Sequence, residues 1–254
     1  MKTKTRKEAP VITVKNLHKI YEIGENKVHA LGGVDFTINR GEFCMIVGTS
    51  GSGKSTLLNM LAGLEKPTEG QIVIAGQHIE KLNEGKLVLF RQKHVGFIFQ
   101  SYNLLANMDA VENVALPLTF QGVPKVERTK RAIQMLDSVG LKKYLDHTPG
   151  QMSGGQQQRV GIARALVVNP EIIFADEPTG NLDSNTSMEV LNLMQHIARE
   201  KKQTIVMVTH DNTLAEYGDK IIRIIDGKIV DLIDNREKAK QLYEATLKNT
   251  TNNH

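Results

Sequence analysis

Gly48-Thr49-Ser50-Gly51-Ser52-Gly53-Lys54-Ser55-Thr56 follows the apolar run Glu42-Phe43-Cys44-Met45-Ile46-Val47 and leads into Thr56-Leu57-Leu58-Asn59-Met60-Leu61-Ala62-Gly63. The central stretch fits G-x-x-x-x-G-K-[ST], and its flanks read as a buried strand before it and a helix closed by glycine after it. Strand, glycine loop, helix is the setting in which this string binds phosphate. The glycines let the backbone curl so that successive N–H groups point inward at an anion. The helix that follows adds its positive N-terminal end. Lys54 supplies a mobile cation for β- and γ-phosphates and Ser55 a hydroxyl for Mg²⁺. A nucleoside triphosphate is therefore expected at residues 48–56, and an α/β sheet around it.

A second constellation lies far downstream. Ile172-Ile173-Phe174-Ala175-Asp176-Glu177 is an apolar strand ending in two acids. The carboxyl end of a buried strand in an open α/β sheet is where ligands bind. Asp176 can hold Mg²⁺ as a hard oxygen ligand. Glu177 points elsewhere and can accept a proton from water attacking a γ-phosphorus. Met152-Ser153-Gly154-Gly155-Gln156 precedes a further helical run. This segment reads equally as a second anion site or as an ordinary capped helix start.

Elsewhere the chain alternates in kind. Val11–Val14 and Val34–Ile38 read as half-buried antiparallel strands with a turn at Gly24-Glu25-Asn26. Gln71–Ile74 and Val95–Phe99 read as short strands. From about 101 to 168 the pattern becomes helical: Asp109 caps a helix beginning at Ala110 with Pro117 beyond it, Lys125–Val139 stops at Gly140, and Gln156–Val168 follows. Strands return at Glu171–Ala175, Thr204–Val208 and Ile221–Ile225, around a helical Ser187–Glu200. The expected domains are a basic N-terminal arm at 1–10, one α/β domain at 11–234 with a helical subdomain at about 101–168, and a charged helical tail at 235–254.

Composition narrows the class. Across 254 residues, 40% are apolar and 24% charged, ordinary for a globular chain. No apolar run is long enough to cross a bilayer, and the first eight residues lack the apolar core of a secretory signal. The single cysteine, Cys44, excludes an internal disulfide and reads as a buried, inert thiol. The net charge of +4 is carried largely by lysines near the two ends. No aromatic residues interleave with a basic stripe and tryptophan is absent, so no nucleic-acid partner is expected.

The order of motifs resembles that of an ABC-type ATPase subunit: the phosphate loop, Ser153-Gly154-Gly155-Gln156, Asp176-Glu177-Pro178-Thr179-Gly180-Asn181-Leu182-Asp183, and a strand ending Val208-Thr209-His210. The resemblance covers about residues 11 to 232. The strings Gly96–Leu105, Glu112–Pro117 and Phe174–Asp183 are similar to the branch of macrolide-exporter, lipoprotein-release and peptide-antibiotic-resistance ATPases, with the bacterial cell-division ATPase a near relative. It implies a P-loop NTPase (RecA-like) α/β core with an antiparallel β subdomain and an inserted α-helical subdomain.

By position, the resemblance implies that Tyr21 stacks on adenine, and that Gln100 touches Mg²⁺ and the attacking water and relays nucleotide state to a membrane partner. It implies that Ser153, Gly154, Gly155 and Gln156 contact ATP held by another copy, that Asp183 sets the interface, and that His210 holds the γ-phosphate. Met152 stands where the family usually has leucine, a volume-conserving change. Every catalytic position carries the expected residue type. The family works as a head-to-tail pair of ATPase subunits on the cytoplasmic face of the cell membrane, bound to a permease carried on another chain. The leading expectation is ATP hydrolysis that powers an exporter or extractor. Mechanical signalling across the membrane is the alternative, and an ATP-gated DNA-repair or chromosome protein a remote one.

Overall fold

The computed structural model describes residues 9–251, so most of the basic arm placed at 1–10 and the last three residues of the tail lie outside the described residues. Among the described residues, ten strands form two sheets. The strands β1 (Ile12–Ile23), β2 (Asn26–Ile38), β4 (Glu69–Ile74) and β5 (Gln77–His78) make an antiparallel sheet in the order β2-β1-β4-β5. The second sheet runs β10-β9-β3-β8-β7-β6, from β3 (Phe43–Val47), β6 (Val95–Ile98), β7 (Ile172–Asp176), β8 (Thr204–Thr209), β9 (Lys220–Ile225) and β10 (Lys228–Asp234). Its strands are parallel except for β10, which returns from β9 as a hairpin.

Strand β3 shows why this sheet sits in the middle. All five of its residues are buried. Phe43 and Met45 face one apolar cluster, built with the helices α3 (Ala110–Phe120), α4 (Lys125–Ser138), α5 (Gly154–Leu166) and α6 (Ser184–Glu200). Cys44 and Ile46 face the other, which α1 (Lys54–Leu61), α2 (Glu84–His94) and the antiparallel sheet complete. A strand covered on both faces reads as a continuous apolar run, which is the pattern of parallel sheets. Burial also drives the Cys44 thiol pKa well above its ordinary value, consistent with an inert core residue.

Four elements depart from the expectations. Pro117 lies inside α3, not beyond it. A proline removes one intrahelical donor, yet the helix runs on for one turn because Leu118 is fully buried in the core. Asn113 braces the first turn by donating to the carbonyls of Leu105, Met108 and Asp109. Helix α2 and strands β5 and β10 are additional to the elements expected. The charged C-terminal stretch is α7 (Arg236–Thr251), which is docked along the core: Ala239 and Tyr243 are buried, and Gln195 donates to the carbonyls of Tyr217 and Ala239.

Candidate functional site

Parallel register gathers the chemistry at one sheet edge. Val47 on β3 pairs with Thr209 on β8, and Val208 on β8 pairs with Asp176 on β7. The residues just past those strand ends are Gly48, His210 and Glu177. Three chain segments far apart in sequence thus deliver a loop, an imidazole and a carboxylate to the carboxyl side of the sheet, where ligands bind in open α/β folds.

The loop is shaped by what packs behind it. A Cβ on Gly48 would collide with the carbonyl oxygen of Ile224, and one on Gly53 with that of Ala30. Gly51 has open space around it and, like Gly53, a left-handed φ. The Ser52 carbonyl accepts from Gly227 N at 3.1 Å, fastening the loop to the β9–β10 turn. Among the described residues, the backbone N–H groups of Gly51, Gly53, Lys54 and Ser55 meet no acceptor. Helix α1 begins at Lys54, so its first donors open onto the same space. Lys54 is buried, and its ammonium donates to the Thr49 carbonyl at 2.8 Å. A cavity of about 440 Å³ lies over the loop, lined by Ser50, Gly51, Gly53, Lys54, Ser55 and Thr56 and walled by Tyr21 and Glu177. These free amides, the lysine and the open concavity fit a polyphosphate.

The oxygen donors needed for a hard cation are also present. Ser55 Oγ donates to Asp176 Oδ1 at 3.2 Å. Burial raises the Asp176 pKa above its usual value, and the Glu177 carboxylate raises it further. The Ser55 hydroxyl and the Lys54 charge pull the other way without cancelling the shift. A divalent cation would relieve that repulsion. No cluster of three His, Cys, Asp or Glu suited to a metal occurs among the described residues. Ser55 and Asp176 offer the one or two protein oxygens that Mg²⁺ needs, since it keeps waters and phosphate oxygens for the rest of its shell.

Glu177 Oε2 accepts from His210 Nδ1 at 2.8 Å. Glu177 itself has φ 42, a left-handed value rare outside glycine. Its N–H donates to the Val208 carbonyl, and its own carbonyl accepts from Gly180 N. Backbone strain of this kind costs of order 1–3 kcal/mol and clusters at working sites. Glu177 borders both the loop cavity and a second one of about 340 Å³ that His210, Asp211, Thr179 and Met188 line.

The other expected site residues lie apart from the loop cavity. The Gln100 side chain rests against Gly180, and its carbonyl accepts from Asn181. Ser153 and Gln156 close a capping box at the start of α5, with Gln156 N to Ser153 Oγ at 3.3 Å and Ser153 N to Gln156 Oε1 at 2.9 Å. Gly154 abuts the Tyr102 hydroxyl, and a Cβ on Gly155 would strike the Thr186 side chain. Asp183 caps α6, accepting from Asn185 N, Thr186 N and the Thr186 hydroxyl. Within one copy, then, the serine-glycine segment does not line the phosphate-loop cavity. Val28, His29 and the Asp226-Gly227 turn, none of them expected from the sequence, do.

A family model described as ABC transporter matches residues 31–180. An uncharacterized ABC transporter ATP-binding protein of Thermotoga maritima is 48% identical over 219 residues, covering 86% of this chain and 93% of its own length. The macrolide export ATP-binding/permease protein MacB of Hyphomonas neptunium is 46% identical over 232 residues, 91% of this chain but only 36% of that longer protein. Among solved structures, a dimeric ATP-binding cassette in a post-hydrolysis state bound to ADP and Pi superposes with a TM-score of 0.82 at 43% identity, covering 89% of this chain and 99% of that one.

Proposed function

The chain belongs to the ABC transporter family of ATP-binding ATPases, and from that premise we propose that it powers a separate membrane permease of the exporter or extractor kind. The observation that carries the catalytic part is the Glu177–His210 pair at 2.8 Å, whose Glu177 borders the cavity over a loop with open amides and a buried lysine. The loop N–H groups and Lys54 bind the β- and γ-phosphates and stabilise charge that builds as the terminal P–O bond breaks. Glu177 takes the proton of the water whose oxygen bonds to the γ-phosphorus. His210 holds Glu177 in place and reaches the departing phosphoryl group. Ser55 and Asp176, with Gln100 as the further contact the family resemblance implies, would hold Mg²⁺, which would supply Lewis-acid charge to the phosphate oxygens. The products are ADP and phosphate.

One copy covers ATP on one side only. In this reading Ser153, Gly154, Gly155 and Gln156 of a second copy close the other side, with Asp183 at the seam. Ser153 stands at an α-helix N-terminus, suited to an anion. The dimeric relative bound to ADP and Pi supports this arrangement.

No helix among the described residues is long and apolar enough to cross a membrane. The permease reading draws on a feature of the surface. Leu89 on α2 and Phe120 at the end of α3 are 65% and 68% exposed, and Gln121 Nε2 donates to the Gln92 carbonyl, joining those two helices at that point. Apolar side chains left in water beside a helix junction suit an amphipathic segment of a partner. The macrolide exporters, in which a similar cassette forms part of an ATP-binding/permease protein, favour export or extraction. The complex then sits on the cytoplasmic face of the cell membrane. Reconstitution in vesicles tests this: ATP turnover raised by a co-purified integral membrane protein, with ATP-dependent solute movement, supports it. Stimulation by DNA and by no membrane protein contradicts it.

A further inference from the structure

We propose that Lys19 and Glu65 are positioning residues that hold the Tyr21 ring as a platform for the nucleotide base, and that both tie this platform to the helix that follows the phosphate loop. The inference rests on the reading of Tyr21 as the base-stacking residue. Lys19 and Tyr21 are two apart on β1. The Lys19 ammonium lies 4.9 Å from the Tyr21 ring centroid, within cation–π range. It also pairs with Glu65 Oε1 at 2.8 Å and donates to the Lys66 carbonyl at 2.9 Å. The Tyr21 hydroxyl donates to the other Glu65 oxygen at 2.9 Å. One carboxylate therefore grips both the ring's hydroxyl and the cation beside its face. Lys19 and Glu65 side chains are only 15% and 27% exposed, so the pair is partly withdrawn from screening water.

Tyr21 and Thr56 line the loop cavity, whereas Lys19 and Glu65 do not. The clamp thus works from outside the cavity and leaves the cavity side of the ring open to a flat, apolar base. Its anchor is the turn after α1. Glu65 N donates to the Asn59 carbonyl, Thr68 N to the His18 carbonyl, and Ile20 N to Thr68 Oγ1. Irregular pairing of β1 around His18–Ile20 makes room for these bonds. Base platform and phosphate loop consequently share one rigid support, α1, with Thr56 at its start and Glu65 just past its end. Preorganising the ring removes a rotamer cost that binding would otherwise carry.

Calorimetric titration of the full chain with ATP and, separately, with inorganic tripolyphosphate tests the clamp. Lys19→Met and Glu65→Ala are expected to weaken ATP binding about three- to tenfold and to leave tripolyphosphate binding unchanged. Lys19→Arg should restore most of the ATP affinity. Tyr21→Ala separates the two layers of the inference. If Tyr21→Ala weakens ATP selectively but Lys19→Met and Glu65→Ala do not, the clamp is overturned and the platform stands. If Tyr21→Ala has no effect on ATP, platform and clamp fall together. An equal loss for ATP and tripolyphosphate in the Lys19 and Glu65 variants also overturns the clamp, since it marks a general structural role.

Discussion

His210 Nδ1 lies 2.8 Å from Glu177 Oε2, joining the ends of two adjacent parallel strands. An ionised carboxylate only accepts, so Nδ1 carries the shared proton and Nε2 is the ring nitrogen left for another partner. The two side chains form one unit. Glu177→Gln should retain ATP binding and lower kcat on the order of 10²- to 10⁴-fold, with an ATP-bound dimer accumulating in gel filtration. His210→Ala should also depress kcat, and the double variant should lose far less than the product of the two single losses. Steady-state turnover of all three variants checks this.

Lys54 is a buried cation whose hydrogen bond in the described structure is to the Thr49 carbonyl. A triphosphate offers it a charge-assisted partner, worth about 1.5–3 kcal/mol. Lys54→Ala should therefore raise the ATP dissociation constant about ten- to 150-fold, with little change in the melting curve of the nucleotide-free chain. Equilibrium dialysis with labelled ATP is the measurement.

Asp176 carries a raised pKa, chiefly because burial disfavours its charge and secondarily because Glu177 stands beside it. A carboxyl whose folded pKa exceeds its unfolded value holds a proton in the native state that the unfolded chain has released. Stability from this group is thus lost as pH rises from about 4, the unfolded value, through the folded one. The penalty is complete once the pH is above the folded value. Asp176→Asn should raise the melting temperature of the nucleotide-free chain at pH 7 and flatten its decline above pH 4, while abolishing Mg²⁺-dependent turnover. Scanning calorimetry across pH 4–8, with a parallel ATPase assay, tests both halves.

Gly48 has no room for a side chain, because the Ile224 carbonyl and Ser52 Oγ occupy the position of a Cβ. Gly48→Ala should cost about 1–3 kcal/mol, which lowers the melting point of a chain this size by about 2–4 °C per kcal/mol. Gly51→Ala meets open space but a left-handed φ of 78 and should cost less. Thermal denaturation of the two variants side by side separates collision from backbone strain.

The parts of the molecule legible in the sequence are those where residue type and setting agree. The loop at 48–56 was readable because glycine, lysine and serine sit between an apolar strand and a helix, and Asp176-Glu177 because an apolar strand ends there. Asp109 and Gly140 marked helix ends for local reasons, a side-chain cap and a left-handed turn. What escaped depends on long-range packing. Helix α2 buries Leu87 and Phe90 with His94 but leaves Val88 and Leu89 exposed, so its apolar residues do not fall on one clean face. Its Asn83 cap was the available signal. Strand β10 followed from Asp226-Gly227, a strong two-residue hairpin pair, but its alternation leaves Val230 and Leu232 half exposed, since it is an edge strand. Pro117 looked like a helix stop because only the buried Leu118 keeps α3 going. The carboxylate grip on Tyr21 joins residues 44 apart, a distance no local pattern encodes.

The structure of the Glu177→Gln chain crystallised with Mg²⁺ and ATP is the most direct test of the site. The expected result is a triphosphate seated on the amides of Gly51 to Ser55, a cation between Ser55 and Asp176, and Ser153 of a second copy closing over the γ-phosphate. Nucleotide bound at any other place, with the curl at 48–56 holding no phosphate, would contradict it.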